Sequence, residues 1–200
     1  NEMFIINWCE NMLYKVDPDT YETSSYGSLH GNPLVIAWDG MYLWIGDYSG
    51  TYRGYSLEED GLTEVGSFVG PIYDYTAISW DGSAFLVRSI WENSGDIYRL
   101  DYDGSILGQY SPNDGFENYT TSGLHSHNNS LYAHQAYGEY IFQLGLEEVE
   151  GDTGIVFIED SLNTGFIYNS IYDALSIGDD VYLTNWDGQL GLFDVPFVDG

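Results

Sequence analysis

The fold is decided by two stretches, PLVIAWDGMYLWIGDYSGTYRGYSLEEDG at residues 33–61 and YTAISWDGSAFLVRSIWENSGDIYRLDYDG at residues 75–104. Each consists of an apolar strand, a Trp-Asp-Gly turn, a second apolar strand, a loop, and a third strand ending in an acidic glycine turn. Asp-Gly between two alternating apolar runs is a strong β-hairpin signal. The two stretches therefore predict a repeated unit of antiparallel strands.

Three weaker copies extend the repeat over the chain, at residues 122–151, 173–195 and 4–17. In the best unit the strands, named A to D in order, are predicted at 33–38, 42–47, 51–57 and 63–69. Four antiparallel strands in roughly 40 to 50 residues are typical of a propeller blade. We expect an all-β, single-domain β-propeller over residues 1–200, with about five four-stranded blades. The repeat units are 3–29, 33–70, 75–112, 121–160 and 172–200.

Both terminal units are incomplete, because the first lacks strand A and the last lacks strand D. Three explanations stay open at this point. The ring closes with two incomplete blades, a neighbouring chain adds a strand, or residues 1–200 belong to a longer propeller. A seven-bladed ring would need roughly 300 residues at this repeat length, so the length favours five blades.

The repeat resembles the broad superfamily of YVTN, NHL and streptogramin-lyase-like β-propellers. Residues 36–47 and 78–101 carry the resemblance best, and the weaker copies extend it over nearly the whole chain. It implies the propeller architecture. It says almost nothing about function, because such propellers include hydrolases, lyases and pure binding modules.

The charge balance restricts the partners. Thirty-two acidic residues face four basic ones, which gives a net charge of −28. Such a surface repels nucleic acid and anionic lipid, and it makes an enzyme with an anionic substrate unlikely. It fits a salty or calcium-rich exterior, although an ordinary acidic secreted protein would look the same. We therefore expect no nucleic-acid partner and no membrane insertion.

We expect an extracellular location, whether secreted, on a cell surface or in a virion, and further features of the sequence bear on it to different degrees. The only cysteine is Cys9, so no internal disulfide can form. No apolar run approaches the ~20 residues of a membrane span. Two glycosylation sequons begin at Asn118 and Asn128, although sequons are common by chance. The chain begins with Asn, which suggests a removed leader or a piece of a longer chain.

An aromatic residue recurs in every B–C loop and forms the candidate ligand-binding set: Trp8, Tyr48, Trp91, Tyr137 and Trp186. Because B–C and D–A loops emerge on one face of a propeller, the set predicts a ring of aromatics there. Flanked by Asn and Asp, these rings would suit sugars, and repeated sites would add avidity. The alternative is that each aromatic simply covers the end of its blade.

The histidines and the acidic turns are the candidate metal sites. His125 and His127 share a face of one predicted strand, and His134 lies on its partner, so the three imidazoles would suit zinc. Hydrated or backbone-bonded histidines are the alternative. Acidic turns, such as residues 17–19, 58–60 and 101–103, make Ca²⁺ the one cofactor to consider. None of them matches an EF-hand loop, and solvated turns are the alternative.

Catalytic signatures are missing from the sequence: it has no G-x-S-x-G, H-E-x-x-H or phosphate-binding loop. We therefore expect a non-catalytic binding, adhesion or assembly module of a surface filament, envelope or virion. Its partner would be a glycan or a protein on the B–C loop face, and self-assembly would involve the chain ends. The alternative is a propeller enzyme, either a glycoside-active hydrolase or a lyase, with its site at the channel mouth.

Overall fold

The computed structural model describes residues 3–17, 19–59, 61–73, 76–89, 95–113, 116, 121–127, 130–135, 138–150, 153–163, 171–177, 180–185 and 190–194. Within these ranges no residue lies in an α-helix, and the regular structure is made of strands. The all-β prediction is thereby confirmed. Among the same residues, no helix is long and apolar enough to cross a membrane.

The described residues form a series of short strands. Their bounds are β1 Met3–Asn7, β2 Met12–Val16, β3 Thr23–Ser28, β4 Pro33–Trp38, β5 Leu43–Asp47, β6 Thr51–Glu58, β7 Gly61–Val69, β8 Thr76–Trp80, β9 Phe85–Ser89, β10 Ile97–Leu100, β11 Ile106–Pro112, β12 Thr121–His127, β13 Ser130–Gln135, β14 Tyr140–Glu147, β15 Gly154–Asn163, β16 Ile171–Ile177, β17 Asp180–Asn185 and β18 Leu190–Asp194.

The chain divides into two compact units. Unit 1 contains residues 1–89 and 98–107, and unit 2 contains residues 90–97 and 108–200. In unit 1 the strand orders are β1-β2-β3, β4-β5-β6-β7 and β8-β9-β10; in unit 2 they are β12-β13-β14-β15-β11 and β16-β17-β18. The single-domain organisation and the number of blades stay predictions.

The sheet β4-β5-β6-β7 has the four strands that the sequence predicts for the best repeat unit. Their antiparallel order is A, B, C, D, and the A strand matches the predicted range. Strand D begins at Gly61, two residues before the predicted start, because the β6–β7 turn is tight and Glu58 pairs with Gly61. A positive φ of 134° at Gly61 suits glycine at this turn.

The Trp-Asp-Gly turns form for a local reason. The Asp39 carboxylate accepts hydrogen bonds from the backbone N–H groups of Met41 and Tyr42 at 2.7 and 2.6 Å. Asp81 accepts the corresponding bonds from Ser83 and Ala84, both at 2.7 Å. An aspartate that bonds the backbone two residues later is a preferred turn former, so the repeated motif fixes two equivalent hairpins.

Aromatic packing joins neighbouring sheets within unit 1. Trp44, from the β4–β7 sheet, packs against Phe85 of β9 with ring centroids 4.9 Å apart. Tyr102 packs against Trp80 at 5.2 Å and against Trp44 at 5.8 Å, and its hydroxyl donates to Asp39 at 3.1 Å. Trp44 and Phe85 thus belong to the core of unit 1, whereas Tyr102 packs on them while remaining 46% exposed.

Unit 2 contains a strand pairing that the repeat pattern does not predict. Its strands β12 to β15 are antiparallel, but β15 also pairs with β11 in parallel, from Tyr110 opposite Gly154 to Pro112 opposite Val156. A side chain at Gly154 would meet the Tyr110 ring at 2.6 Å, so glycine permits this close approach. Strands β11 and β15 therefore cover each other's backbone edge.

Candidate binding face of unit 1

Two of the predicted loop aromatics lie in turns of unit 1 and point outward. Trp8 follows β1 and is 53% exposed, and Tyr48 follows β5 and is 47% exposed. In contrast, Trp44 is only 4% exposed in the core of the same unit. Trp8 and Tyr48 therefore leave about half of their surface in water.

A buried carboxylate fixes the turn that carries Tyr48. Asp47 accepts hydrogen bonds from the backbone N–H groups of Ser49 and Thr51 at 2.9 and 3.1 Å, and from the Arg53 guanidinium at 2.5 Å. Burial alone would raise the pKa of the Asp47 carboxyl, but the bonds from Ser49, Arg53 and Thr51 outweigh it and hold that pKa below its usual value. The turn is therefore rigid.

The turn that carries Trp8 is held in a similar way. The Asn7 side-chain oxygen accepts hydrogen bonds from the backbone N–H groups of Cys9 and Glu10 at 3.1 and 3.3 Å. With its amide oriented to satisfy its neighbours, Asn11 donates to the carbonyl oxygens of Trp8 and Gly31 at 3.2 and 2.6 Å. The Trp8 turn is therefore bonded directly to the β3–β4 loop.

Further backbone contacts connect these loops to a third exposed aromatic. The Tyr48 N–H donates to the carbonyl oxygen of Asn32 at 3.1 Å, which joins the β3–β4 loop to the β5–β6 turn. Gly50, in that turn, lies against the carbonyl of Ile72, and Tyr73 follows with 64% of its surface exposed. Trp8, Tyr48 and Tyr73 thus lie on adjoining loops, and we call these three residues the loop row.

The close approach of Gly50 to the β7–β8 loop gives a testable consequence. Gly50 has φ of 76°, and a Cβ there would collide with the carbonyl oxygen of Ile72. We expect Gly50→Ala to lower the free energy of unfolding by about 1–3 kcal/mol, because strain and the collision combine. Gly40→Ala is the matched control, since its φ of 96° is also positive but no atom lies within 4 Å of its Cβ position.

Urea unfolding of both variants separates the two contributions. Gly40→Ala measures the cost of the positive φ alone, and the excess for Gly50→Ala measures the loop contact. Equal losses in the two variants would show that the β5–β6 turn is not tightly packed on the β7–β8 loop.

The structure tests only part of the predicted aromatic set. Trp91, Tyr137 and Trp186 lie outside the described residues, so the ring of five stays a prediction. Tyr73 is absent from the predicted set although it belongs to the loop row. The signal that would have found it is its place in a D–A loop, on the face where the B–C loops also emerge.

The three candidate metal ligands lie on paired strands of unit 2. His125 and His127 lie on β12 with ring centroids 6.3 Å apart, and His134 lies on β13 opposite Gly123. His134 is 1% exposed, and no hydrogen-bond partner reaches its Nδ1. Burial and the neighbouring His125 lower the pKa of His134 to about 3; burial and His127 lower the pKa of His125 to about 4.

The described residues contain no group of three or more His, Cys, Asp or Glu that could hold a metal ion. Zinc at the three histidines and calcium at the acidic turns therefore stay predictions. One acidic turn has a structural role, because Asp17 accepts hydrogen bonds from the backbone N–H groups of Asp19 and Thr20 at 2.8 and 3.1 Å. Cys9 is exposed and its thiol is free.

Comparisons with known proteins show a propeller type of fold. A glutaminyl cyclase from Myxococcus xanthus is 11% identical, with a TM-score of 0.67 over 97% of this chain and 88% of that chain. The Cps50 (Swd1) β-propeller domain of Myceliophteria thermophila is 11% identical, with a TM-score of 0.54 over 100% of this chain and 68% of the other.

A chain of a mitotic checkpoint complex is also similar, at 12% identity and a TM-score of 0.52. The alignment covers 97% of this chain but only 59% of that one. No protein-family model and no curated protein matches the sequence. At such low identities the likeness describes the fold and not the activity.

Proposed function

We propose that this chain is a non-catalytic, extracellular β-propeller module of five blades that binds its partner through the loop row. The observation that carries the proposal is the exposure of Trp8 and Tyr48 on turns whose backbones are held by side-chain hydrogen bonds. Rigid, exposed Trp and Tyr side chains bind at a low cost in conformational entropy and are enriched at the energetic centres of interfaces.

The charge of the chain limits the partner to two classes. A net charge of −28 disfavours anionic ligands and leaves a neutral glycan or a protein surface. For a glycan, Trp8 offers an exposed aromatic ring. Glu10, in the same turn, has a carboxylate that accepts hydrogen bonds from Tyr14 and Asn7 at 2.5 and 3.0 Å. For a protein, the similar chain in the mitotic checkpoint complex gives a precedent for assembly.

Calcium remains part of this proposal as a counter-ion at the exposed acidic turns. Solvent-exposed carboxylates repel one another at this net charge, and divalent cations reduce that repulsion. If self-assembly depends on this relief, light scattering will show oligomers with calcium and monomers after chelation. A monomer under both conditions would contradict the assembly form of the proposal.

Substitution of the loop row tests the binding proposal. We expect Trp8→Ala and Tyr48→Ala each to weaken binding by roughly 30-fold, the effect of about 2 kcal/mol at an interface centre. A glycan array and binding to candidate protein partners measure the two classes separately. Tyr21→Ala is the matched control, because Tyr21 is 58% exposed but lies in the β2–β3 turn.

The outcome of these substitutions is decisive for the loop row. Unchanged binding in both loop variants would place the site elsewhere, and an equal loss in Tyr21→Ala would show that general surface hydrophobicity is responsible. A glycan signal that disappears with Trp8 supports the sugar class, and a protein signal that disappears with Trp8 supports the protein class.

The enzyme alternative has its best candidates in the histidines of unit 2. A general base that works near neutral pH needs a pKa near that pH. The pKa values of His125 and His134, about 4 and about 3, keep both imidazoles neutral but weakly basic. For this reason we prefer the binding module. Stoichiometric zinc that is lost in His127→Ala would favour a metal site or an enzyme instead.

A further inference from the structure

The end of unit 1 opposite the loop row carries a second group of exposed apolar side chains. In the β4–β7 sheet the β4–β5 turn lies at the other end from the β5–β6 turn of Tyr48, because successive antiparallel strands turn at alternate ends. Met41, in the β4–β5 turn, is 66% exposed, and Tyr102, in the β10–β11 turn, is 46% exposed. Trp80, at the end of β8, is half-buried beside Tyr102. This end therefore offers apolar surface of its own to a partner.

The ring of Tyr102 is held in one position. Its centroid lies 5.8 Å from that of Trp44, 5.2 Å from that of Trp80 and 5.4 Å from that of Phe85. Its hydroxyl donates a hydrogen bond to the Asp39 carboxylate at 3.1 Å, which joins it to the β4–β5 turn. All of these groups belong to the hairpins β4–β5, β8–β9 and β10–β11. An aromatic side chain that is fixed and still nearly half exposed binds a partner at a low cost in conformational entropy.

Carboxylates lie beside Tyr102, both on its own turn and on the β4–β5 turn. Asp101 accepts a hydrogen bond from the Tyr102 N–H at 2.7 Å, and Asp103 accepts one from the Ser105 N–H at 2.8 Å. Asp39 accepts from the Tyr102 hydroxyl. These donors are neutral, so the hydrogen bonds do not cancel the three negative charges. A cation near Tyr102 therefore meets carboxylates as well as an aromatic ring.

The arginine near this turn already has a carboxylate partner. Arg99 donates to Asp81 at 2.8 Å and to the Ser83 hydroxyl at 2.7 Å, so the charge of Asp81 balances that of Arg99. Burial, and after it the hydrogen bond to Asp39 and the charge of Asp39, raise the pKa of the Tyr102 hydroxyl. The contribution of Asp39 agrees with a negative potential at Tyr102, which attracts a cation from outside the chain.

We propose that Tyr102, Met41 and the carboxylates of Asp39 and Asp101 bind an arginine side chain of a basic protein partner, and we call these four residues the arginine site. Cations bind to aromatic rings, and arginine suits them better than lysine because its planar guanidinium also stacks on the ring. The carboxylates accept hydrogen bonds from guanidinium N–H groups. Met41 offers apolar surface to the methylene stem of the arginine.

Charge favours a separate, basic partner over a second copy of this chain. A net charge of −28 makes two copies repel each other, whereas a segment with several arginines is attracted. The arginine site shares no residue with the loop row, so it adds a second binding surface to the one proposed above.

Labelled peptides test the proposal on the full chain. The probe is fluorescein-labelled Gly-Arg-Gly-Arg-Gly-Arg-Gly, and the comparison is the same peptide with lysine in place of each arginine. Fluorescence anisotropy measures both affinities in about 0.15 M salt. The two peptides carry the same charge, so long-range attraction to an acidic chain favours neither. We expect the arginine peptide to bind roughly threefold more tightly, which is the effect of an exposed cation–π contact.

Substitution of Tyr102 shows where this preference arises. We expect Tyr102→Leu to abolish the preference for arginine and Tyr102→Phe to retain it, because only the second variant keeps the ring. Tyr48→Leu is the matched control: Tyr48 is 47% exposed but belongs to the loop row, so this variant keeps the preference. Melting temperatures check the fold of each variant.

A charge variant keeps the test decisive if Tyr102→Leu is unstable. Asp101→Asn removes a negative charge but keeps an oxygen acceptor for the Tyr102 N–H, and we expect it to weaken binding of the arginine peptide by roughly threefold. Asp17→Asn removes the same charge from an exposed turn outside the arginine site and should leave the affinity nearly unchanged.

Several results would contradict the arginine site. Equal affinities of the two peptides, or no binding of either, would overturn the proposal. A preference that survives in Tyr102→Leu, or that is lost in Tyr48→Leu, would overturn it as well. Equal losses in Asp101→Asn and Asp17→Asn would show that only the overall charge of the chain attracts the peptide.

Discussion

Asp47→Ala is expected to lower the free energy of unfolding by about 3–5 kcal/mol, the usual cost of breaking a buried ion pair from one side. The Asp47 side chain is 5% exposed, and its partner Arg53 is 22% exposed. The substitution leaves the Arg53 guanidinium and the N–H groups of Ser49 and Thr51 without their acceptor. Urea unfolding with an unchanged m-value measures the loss.

Two further variants divide this loss into its parts. Asp47→Asn keeps one carbonyl acceptor and removes the charge, so we expect an intermediate loss. Asp17→Ala removes an exposed aspartate that bonds its turn in a similar way, and it should cost much less, because water can replace the lost acceptor. If Asp47→Ala costs no more than Asp17→Ala, burial and the ion pair contribute nothing and the Tyr48 turn is not held as described.

The free energy of unfolding is expected to fall by roughly 4 kcal/mol between pH 6.5 and pH 4.5, because of two histidines in unit 2. The pKa of His125 is lowered to about 4 and that of His134 to about 3, both from 6.5. Below pH 6.5 the unfolded chain takes up protons that the folded chain does not bind. Each imidazole therefore lowers the free energy of unfolding by roughly 2 kcal/mol between pH 6.5 and pH 4.5, so the folded chain becomes less stable as the pH falls.

Urea titrations at several pH values, on the wild type and on single variants, test this expectation. His134→Leu and His125→Gln should each reduce the pH dependence by about half, although the two side chains interact and their effects need not add. His30→Gln, which removes an exposed histidine of unit 1, is the control for the loss of a histidine as such. The pH range of the measurement ends at 4.5, because aspartates with lowered pKa values, such as Asp47, lose their contribution to the free energy of unfolding at lower pH. A flat profile in the wild type would contradict the burial of these histidines.

Local chemistry in the sequence was sufficient to predict the strands and their hairpins. Trp-Asp-Gly predicts the turns at residues 38–40 and 80–82, since the aspartate bonds to the backbone only a few residues away. The same repeat predicts the four strands of the β4–β7 sheet. The sequence also places His125 and His134 on paired strands, because strand alternation and hairpin register are local properties.

Contacts between distant segments decided the rest. Alternation could not show that Trp8 and Tyr48 are about half exposed while Trp44 is buried against the neighbouring sheet, because exposure depends on what packs against a residue. The parallel pairing of β11 with β15 connects segments about 40 residues apart, and no hairpin rule predicts it.

The repeat therefore predicts the strands and turns that carry the candidate site, but not which of its side chains are exposed. By itself the sequence determined which residues form strands and turns, because those depend on hydrogen bonds between near neighbours. Only the tertiary structure decided that Tyr73 belongs beside Tyr48, and that Trp8 is exposed while Trp44 is buried. Burial is a property of the packed chain, so residues of the same type can have opposite surroundings.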